Sequence, residues 1–161
     1  MAQEDVEQFR WLSDSEQQSW RAILRGTRLL EQALDRALDT AGIQLSEYEI
    51  ISMLSEAPGA RLRMSELAET VVQSRSRLTH TATRLESRGW VTREPCADDK
   101  RGVELVLTPT GWEAVTRISR VHVQSVRDNL VDIMPPEQFK ALGDAMAVVR
   151  DHLAPEGSTD R

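Results

Sequence analysis

Five arginine or histidine side chains lie within one short stretch, SRSRLTHTATRLESRG, which runs from Ser74 to Gly89. Serine and threonine hydroxyls stand between them, and few apolar residues interrupt. Guanidinium, imidazole and hydroxyl groups can donate hydrogen bonds to phosphate oxygens and to the edges of bases. The chemistry that the stretch favours is noncovalent recognition of nucleic acid. The alternative is a solvated basic surface, the usual environment of surface arginines.

The charge of the chain is unevenly distributed. The formal net charge is -6 over 161 residues. Between positions 61 and 101 nine Lys or Arg face six Asp or Glu, whereas the rest of the chain has eleven against twenty. Because the distribution of charge matters more to a partner than the total, the basic middle is the candidate contact surface.

The spacing of apolar residues predicts that the basic stretch is a helix. Leu78, Ala82 and Leu85 recur at four and three residues and define its buried side. Ser74 is a suitable N-cap, and Gly89 suits a left-handed C-terminal position. Two exposed flanks follow, the first formed by Arg77, Thr81, Arg84 and Arg88 and the second by Ser76, His80 and Thr83.

Side chains in the first turns of such a helix reach base edges in the major groove, which a helix fits. The groove-facing candidates are Ser74, Arg75, Ser76, Arg77, Thr79 and His80. Arg84 is a candidate for either a base or a phosphate contact.

The surrounding elements predict how this helix is held. A first long helix covers Trp20 to Leu38, and the motif SEYE, Ser46 to Glu49, is a capping box that opens the second. After the extended piece RLRM, a short third helix runs through SELAETV and forms a helix-turn-helix with the basic helix.

The segments WVTREP and GVELVLT flank CADDKR as a hairpin. Thr108 and Pro109 open a long helix, MPPEQ breaks it, and a last helix follows.

The hairpin tip combines cations with carboxylates. Lys100 and Arg101 lie on a protruding turn and suit the minor groove, whose negative potential attracts arginine. A carboxylate beside them is expected to pair with Arg93 or Arg84 and to hold the hairpin in place. Arg93 is therefore predicted to support the hairpin, or wing, with Asp98 or Asp99 as the carboxylate.

At these motifs the chain resembles the MarR family of bacterial transcriptional regulators. The resemblance covers roughly residues 45–115 and is carried by LTHTATRLESRGWV and by DDKRG followed by LTPTG. It implies that Asp99 and Arg101 match the wing's aspartate and its minor-groove arginine, and that Arg84 matches an arginine near the DNA. His80 stands where the family often has arginine, and a neutral imidazole is a weaker donor than a guanidinium.

The predicted fold class is mainly α with a small β-hairpin wing, a winged helix-turn-helix with N- and C-terminal dimerisation helices. One domain spans 1–161, with the DNA-binding lobe at 45–108 and dimerisation helices at 8–41 and 109–154. The family implies a homodimer, a two-fold operator and repression released by a small ligand. The apolar stripes of the terminal helices support the dimer independently, because one chain offers little to cover them.

Other functions find little support in the sequence. There is no glycine-rich phosphate loop or nucleophile motif, so we expect neither an enzyme nor a cofactor. The three histidines, His80, His122 and His152, lack the spacing of metal ligands. No apolar run approaches about 18 residues, and MAQEDVEQ is unlike a secretory signal, which predicts a soluble cytoplasmic protein without a membrane partner.

Three alternatives remain open at this stage. Cys96, the single cysteine, is more simply incidental than a thiol switch, although Arg93 and Lys100 nearby could lower its pKa. Trp11 and Trp20 could line a pocket for a small aromatic or phenolic effector, although aromatic residues at helical spacing more often lie in a core or dimer interface. The chain could also be a winged-helix protein-interaction module. Steep salt dependence of binding would favour DNA.

Overall fold

A computed structural model describes residues 9–71, 74–97, 99 and 101–154. Over these residues the chain forms six α-helices and three short strands. In chain order they are α1 Asp14–Asp39, α2 Leu45–Glu56, β1 Arg61–Arg63, α3 Met64–Thr70, α4 Arg75–Ser87, β2 Val91–Pro95, β3 Val103–Leu107, α5 Pro109–Val126 and α6 Pro136–Leu153. No helix within these ranges is both long and apolar enough to cross a membrane.

The first helix begins earlier than its apolar pattern predicts. Ser13 is the N-cap, and its hydroxyl accepts from the backbone N–H of Glu16 at 3.3 Å. The Glu16 carboxylate accepts in return from the Ser13 N–H at 2.7 Å. The apolar period alone predicts a start at Trp20, because the helical residues before Trp20 are all polar. A capping box, not an apolar face, sets this end.

The capping box predicted at the start of the second helix is wrong in register. The N-cap is Gln44, and its N–H donates to Oε2 of Glu47 at 2.9 Å. Ser46 and Glu49 lie inside the helix instead. The predicted inner residues Tyr48, Ile51 and Leu54 are buried, as are Ile50 and Glu47. Contacts of Glu47 with a later helix, described below, select this register over the local alternative.

Both ends of the basic helix agree with the prediction. The Ser74 hydroxyl accepts from the Arg77 N–H at 3.3 Å. Past the other end, Gly89 has a φ of +71°, in the left-handed region where a side chain would be strained. The chain thereby turns sharply from α4 into β2.

The strands form one antiparallel sheet in the order β1-β3-β2. The extended piece predicted before α3 forms β1, which completes the three-stranded sheet, and its Leu62 pairs with Leu105 of β3. On the other side β2 pairs with β3 from Val91 opposite Leu107 to Pro95 opposite Val103. The hairpin is therefore attached to the helical lobe through β1 rather than projecting alone.

One apolar core joins the winged lobe, from α2 to β3, to the long helices. It contains Leu38 of α1, Ile43, the inner face of α2, Leu67 and Ala68 of α3, the buried side of α4, Val91 of β2, Leu105 and Leu107 of β3, and Ala114, Val115 and Ile118 of α5. The last helix lies outside this core, and none of its residues is buried. After α5 the helix widens into a π-helical turn at Arg127–Val131, and the Met134-Pro135-Pro136 break follows.

Candidate nucleic-acid interface

The N-terminal half of α4 presents a polar, positively charged surface to solvent. Its exposed residues are Arg75, Ser76, Arg77, Thr79 and His80, together with the N-cap Ser74. The Thr79 hydroxyl donates to the Arg75 carbonyl at 2.8 Å and keeps its lone pairs for an outside donor. Within the described chain neither Arg75 nor Arg77 is in an ion pair. These cations are therefore available to a ligand.

One residue predicted on the exposed flank is buried. Thr81 is 2% exposed, and its hydroxyl donates to the Arg77 carbonyl at 3.1 Å. Position 81 lies three residues after Leu78 and four before Leu85, which places it on their side of the helix. Its hydroxyl satisfies the helix backbone and faces away from the exposed surface.

The C-terminal half of α4 is tied to the protein instead. Arg84 Nε donates to Oε1 of Glu47 at 3.0 Å, and Arg84 Nη2 donates to Oε1 of Gln44 at 3.1 Å. Arg88 Nη1 donates to the Gly42 carbonyl at 2.8 Å. Arg84, predicted as a base or phosphate contact, therefore has two protein partners already.

A single arginine joins the wing to the basic helix. Arg93 of β2 donates from Nη1 to Oε2 of Glu86 at 2.6 Å. Its Nη2 donates to the Thr79 carbonyl at 3.1 Å and to the Thr83 hydroxyl at 2.9 Å. These three contacts lie along one side of α4 and fix the wing against it.

Asp99 does not make the pairing with Arg93 or Arg84 that was predicted for a carboxylate of the tip. The Asp99 Oδ1 accepts from the backbone N–H of Arg101 at 2.9 Å, and its carbonyl accepts from the Gly102 N–H at 2.9 Å. The carboxylate is two residues from the N–H that it caps, the spacing of an Asx turn. Asp99 thus shapes the tip through the backbone, while Arg93 pairs with α4.

The cationic end of the wing is described in part. The Arg101 side chain is exposed at the tip. Lys100, predicted as its companion, and Asp98 lie outside the described residues. The exposed turn of α4 and the tip of the wing are held in one structural unit by Arg93.

A cavity of about 590 Å³ lies behind Arg77 and reaches α1. Acidic side chains of α1 and α2, Glu31, Asp35 and Glu49, contribute to its lining. Burial and the nearby Glu31 raise the pKa of Glu49, and Arg77 acts in the opposite direction. The basic surface is therefore bordered by negative charge on the side of α1.

The chain is similar in sequence and in structure to known proteins. The sequence model of the MarR family matches residues 41–102. The HTH-type transcriptional regulator PecS of Dickeya dadantii (strain 3937) is 32% identical over 133 residues, which are 81% of this chain and 79% of PecS. The chain belongs to the MarR family. Its similarity to PecS extends well beyond the matched family segment, into the long helices.

Two solved MarR family regulators from Streptomyces coelicolor are similar over nearly the whole chain. Sco3205, crystallised in complex with DNA, has a TM-score of 0.87 at 43% identity and covers 93% of this chain and 94% of its own. AbsC has a TM-score of 0.84 at 42% identity over 90% and 98%. The predicted winged helix-turn-helix fold is confirmed. These relatives are transcriptional regulators, a class without enzymatic activity.

Cys96, Trp11 and Trp20, on which the alternative hypotheses depend, lie outside α4. Cys96 is buried in the base of the wing turn, and its N–H donates to the Gly102 carbonyl at 3.0 Å. Burial of the thiol removes the exposure on which a thiol switch would depend. Trp11 is 81% and Trp20 48% exposed in the single chain. Among the described residues no group of three or more His, Cys, Asp or Glu is arranged to hold a metal ion.

The sequence did not predict the ion pairs of two acidic residues, Glu47 and Glu86. Both pair with arginines that the sequence singled out, Arg84 and Arg93. Glu47 carries a weak local signal, because it lies three residues after the N-cap of α2. Glu86 carries none, since its partner is seven residues away across a turn. These two carboxylates hold Arg84 and Arg93 against other elements of the same chain.

Proposed function

We propose that this MarR family protein is a transcriptional regulator that binds a palindromic DNA operator as a homodimer and represses transcription. The first turns of α4 enter the major groove, and Arg101 at the tip of the wing enters the minor groove. Such a protein acts in the cytoplasm, where bacterial DNA lies. The proposal includes Ser74, Arg75, Ser76, Arg77, Thr79 and His80 as groove-facing residues.

The observation that carries the proposal is that the exposed cations at the start of α4 lie on the same helix to which the wing is fixed. Arg75 and Arg77 face solvent at the start of α4. Arg93 holds the wing to the same helix at 2.6 Å from Glu86. Docking on DNA needs two such elements at a constant separation, so that each enters its own groove. Sco3205, to which the chain is 43% identical, was crystallised with DNA.

The uncovered apolar residues of the last helix support a homodimer. Phe139, Leu142, Met146 and Val149 recur at helical spacing, and Met146 is 50% exposed. Trp20 and Ile23 of α1 are exposed as well. A contiguous apolar surface of this kind is costly in water and is covered by a second copy of the same helices. Two copies of α4 about 34 Å apart would contact two half-sites.

Release by a small aromatic or phenolic effector completes the proposal. A ligand shifts DNA affinity only by its preference for one arrangement of the two lobes. Because Trp11 and Trp20 face solvent in the single chain, a pocket that they line would have to be completed by the second copy. Loss of operator binding with a matching change in helix spacing would be the signature of such a ligand.

Selection of bound sequences from a random duplex library, repeated at two salt concentrations, tests the proposal. We expect an enriched inverted repeat whose half-sites lie about one helical turn apart, with affinity that falls steeply as salt rises. Sedimentation of the free protein should give a dimer. Weak binding without enrichment at either salt concentration would contradict operator recognition and favour the protein-interaction module.

A further inference from the structure

We propose that Glu47 is the positioning residue of α4, the proposed recognition helix, and that it withholds Arg84 and Arg88 from the DNA. The inference rests on the proposed function and deepens it, because it states which cations of α4 meet the duplex. It also assigns a role to a carboxylate on α2 that does not itself face the groove.

Glu47 is nearly inaccessible to solvent. It is 1% exposed, and it is the one carboxylate among the buried residues of the described chain. A buried carboxylate is tolerated only where opposite charges and hydrogen bonds replace its water. The surroundings of Glu47 meet this condition through two hydrogen-bond donors and a second guanidinium.

Both carboxylate oxygens are used. Oε1 accepts from Arg84 Nε at 3.0 Å. Oε2 accepts from the backbone N–H of Gln44 at 2.9 Å and lies 3.9 Å from Arg88 Nη2. Arg84 and Arg88 are four residues apart and therefore share one side of α4. One carboxylate thus joins the last two turns of α4 to the first turn of α2.

The remaining donors of the two arginines reach the connection between α1 and α2. Arg84 Nη2 bonds the Gln44 side chain and Arg88 Nη1 bonds the Gly42 carbonyl. The guanidinium of Arg88 also lies 4.9 Å from the ring centroid of Trp90, which follows the helix. Each arginine is held by at least two groups of the same chain, while 47% of the Arg84 side chain and 37% of the Arg88 side chain stay exposed.

If Glu47 holds Arg84 and Arg88, fewer phosphates are neutralised when DNA binds. Each neutralised phosphate contributes about 0.9 to the slope of log affinity against log salt. Arg84 and Arg88 pair with Glu47 and should contribute nothing to that slope. Removing the carboxylate frees them to contact phosphates without regard to sequence, while the orientation of the reading half of α4 is lost.

The decisive experiment measures Glu47→Gln on the selected operator and on a random duplex across a series of salt concentrations. We expect operator affinity to fall by about tenfold or more, and random-duplex affinity to rise with a slope steeper by about 1 to 2. Glu56→Gln is the matched control, because it removes one negative charge from the exposed end of the same helix. It should leave the ratio of the two affinities unchanged.

Arg84→Gln provides a second variant should Glu47→Gln fail to fold. We expect weaker operator binding with an unchanged salt slope, because Arg84 neutralises no phosphate in the native protein. A slope reduced by about 1 would show that Arg84 contacts a phosphate and would overturn the inference. An unchanged ratio of operator to random affinity in Glu47→Gln would overturn it equally. Operator selection by the unaltered protein decides the proposed function separately, since it involves neither variant.

Discussion

Arg93 on the second strand and Glu86 near the end of α4 form the shortest described link between the wing and the recognition helix, 2.6 Å between Nη1 and Oε2. Both side chains are partly exposed, but Arg93 adds two further hydrogen bonds on α4, to Thr79 and Thr83. A guanidinium can hold several acceptors in one plane, which a lysine cannot. The wing is therefore fixed in orientation as well as in distance.

Arg93→Gln should uncouple the wing from α4. We expect operator affinity to fall by about tenfold, the effect of losing charged hydrogen bonds of about 1.5 kcal/mol in total. The effect of Arg101→Ala should shrink in the Arg93→Gln background, because a loose wing gains less from its tip arginine. A double-mutant cycle measures this coupling. Arg61→Gln, which removes the two ion pairs of β1 with Glu94 and Glu104 on the wing strands, is the control, and fully additive effects would contradict the proposed coupling.

Arg77→Ala and Arg101→Ala should affect DNA binding in different ways. Arg77 faces solvent in the first turn of α4, so its loss should cost about 1–3 kcal/mol on the operator and relax preference at one or two base positions. Arg101 lies at the tip of the wing, and its loss should weaken binding to many sequences. Sequence selection with each variant measures the difference. Arg127→Ala, in the turn after α5, should do neither, and a uniform loss in Arg77→Ala would reassign that arginine to phosphate.

Gly111→Ala should destabilise the packing of the start of α5 against the turn that follows α4. A Cβ at this position would overlap the Trp90 carbonyl oxygen and would lie 2.6 Å from Leu107 Cδ1. Because the nearer atom is backbone, α5 must shift away from the turn that follows α4, at a cost of about 1–3 kcal/mol. Thermal unfolding measures the loss. Gly26→Ala, where a Cβ meets nothing within 4 Å, should be neutral or stabilising, and equal melting of the two variants would refute the close packing.

Local signals explain which parts of this fold the sequence predicts. The N-cap Ser74, the left-handed Gly89 and the Thr108-Pro109 start of α5 depend on neighbouring backbone atoms, and all three were predicted. The register of α2 was not, because Ser46 is by residue type a better N-cap than Gln44, the N-cap in the structure. Long-range pairing of Glu47 with α4 distinguishes them, and no local pattern contains that information.

The candidate site divides in the same way. The basic residues that face solvent at the start of α4 follow from helical periodicity. The partners of Arg84, Arg93 and Asp99 depend on how strands and helices pack, and each differs from the expectation. Charge type predicts that an arginine will find an acceptor, whereas only the tertiary structure selects between DNA and a carboxylate of the same chain.

His122 should make the stability of the protein depend on pH. Its ring stacks on Tyr48 of α2 with centroids 4.5 Å apart, and among the described residues its buried Nδ1 has no hydrogen-bond partner. Burial lowers the pKa of His122 in the folded state. The unfolded chain therefore takes up the proton first, and the contribution of the neutral ring to stability is complete above about pH 6.5 and decreases as the pH falls toward the lowered folded value.

We expect the melting temperature to drop between about pH 7.5 and about pH 5.5, on either side of the unperturbed histidine pKa. His122→Phe keeps a ring against Tyr48 without a proton to bind, so its melting temperature should vary less over that interval. His152→Gln, at an exposed position near the end of α6, should retain the full pH dependence. An equally strong dependence in His122→Phe would assign the effect to another group. Because His122 lies where α5 packs against α2, the same comparison made on operator affinity would show whether this contact also affects the placement of α4.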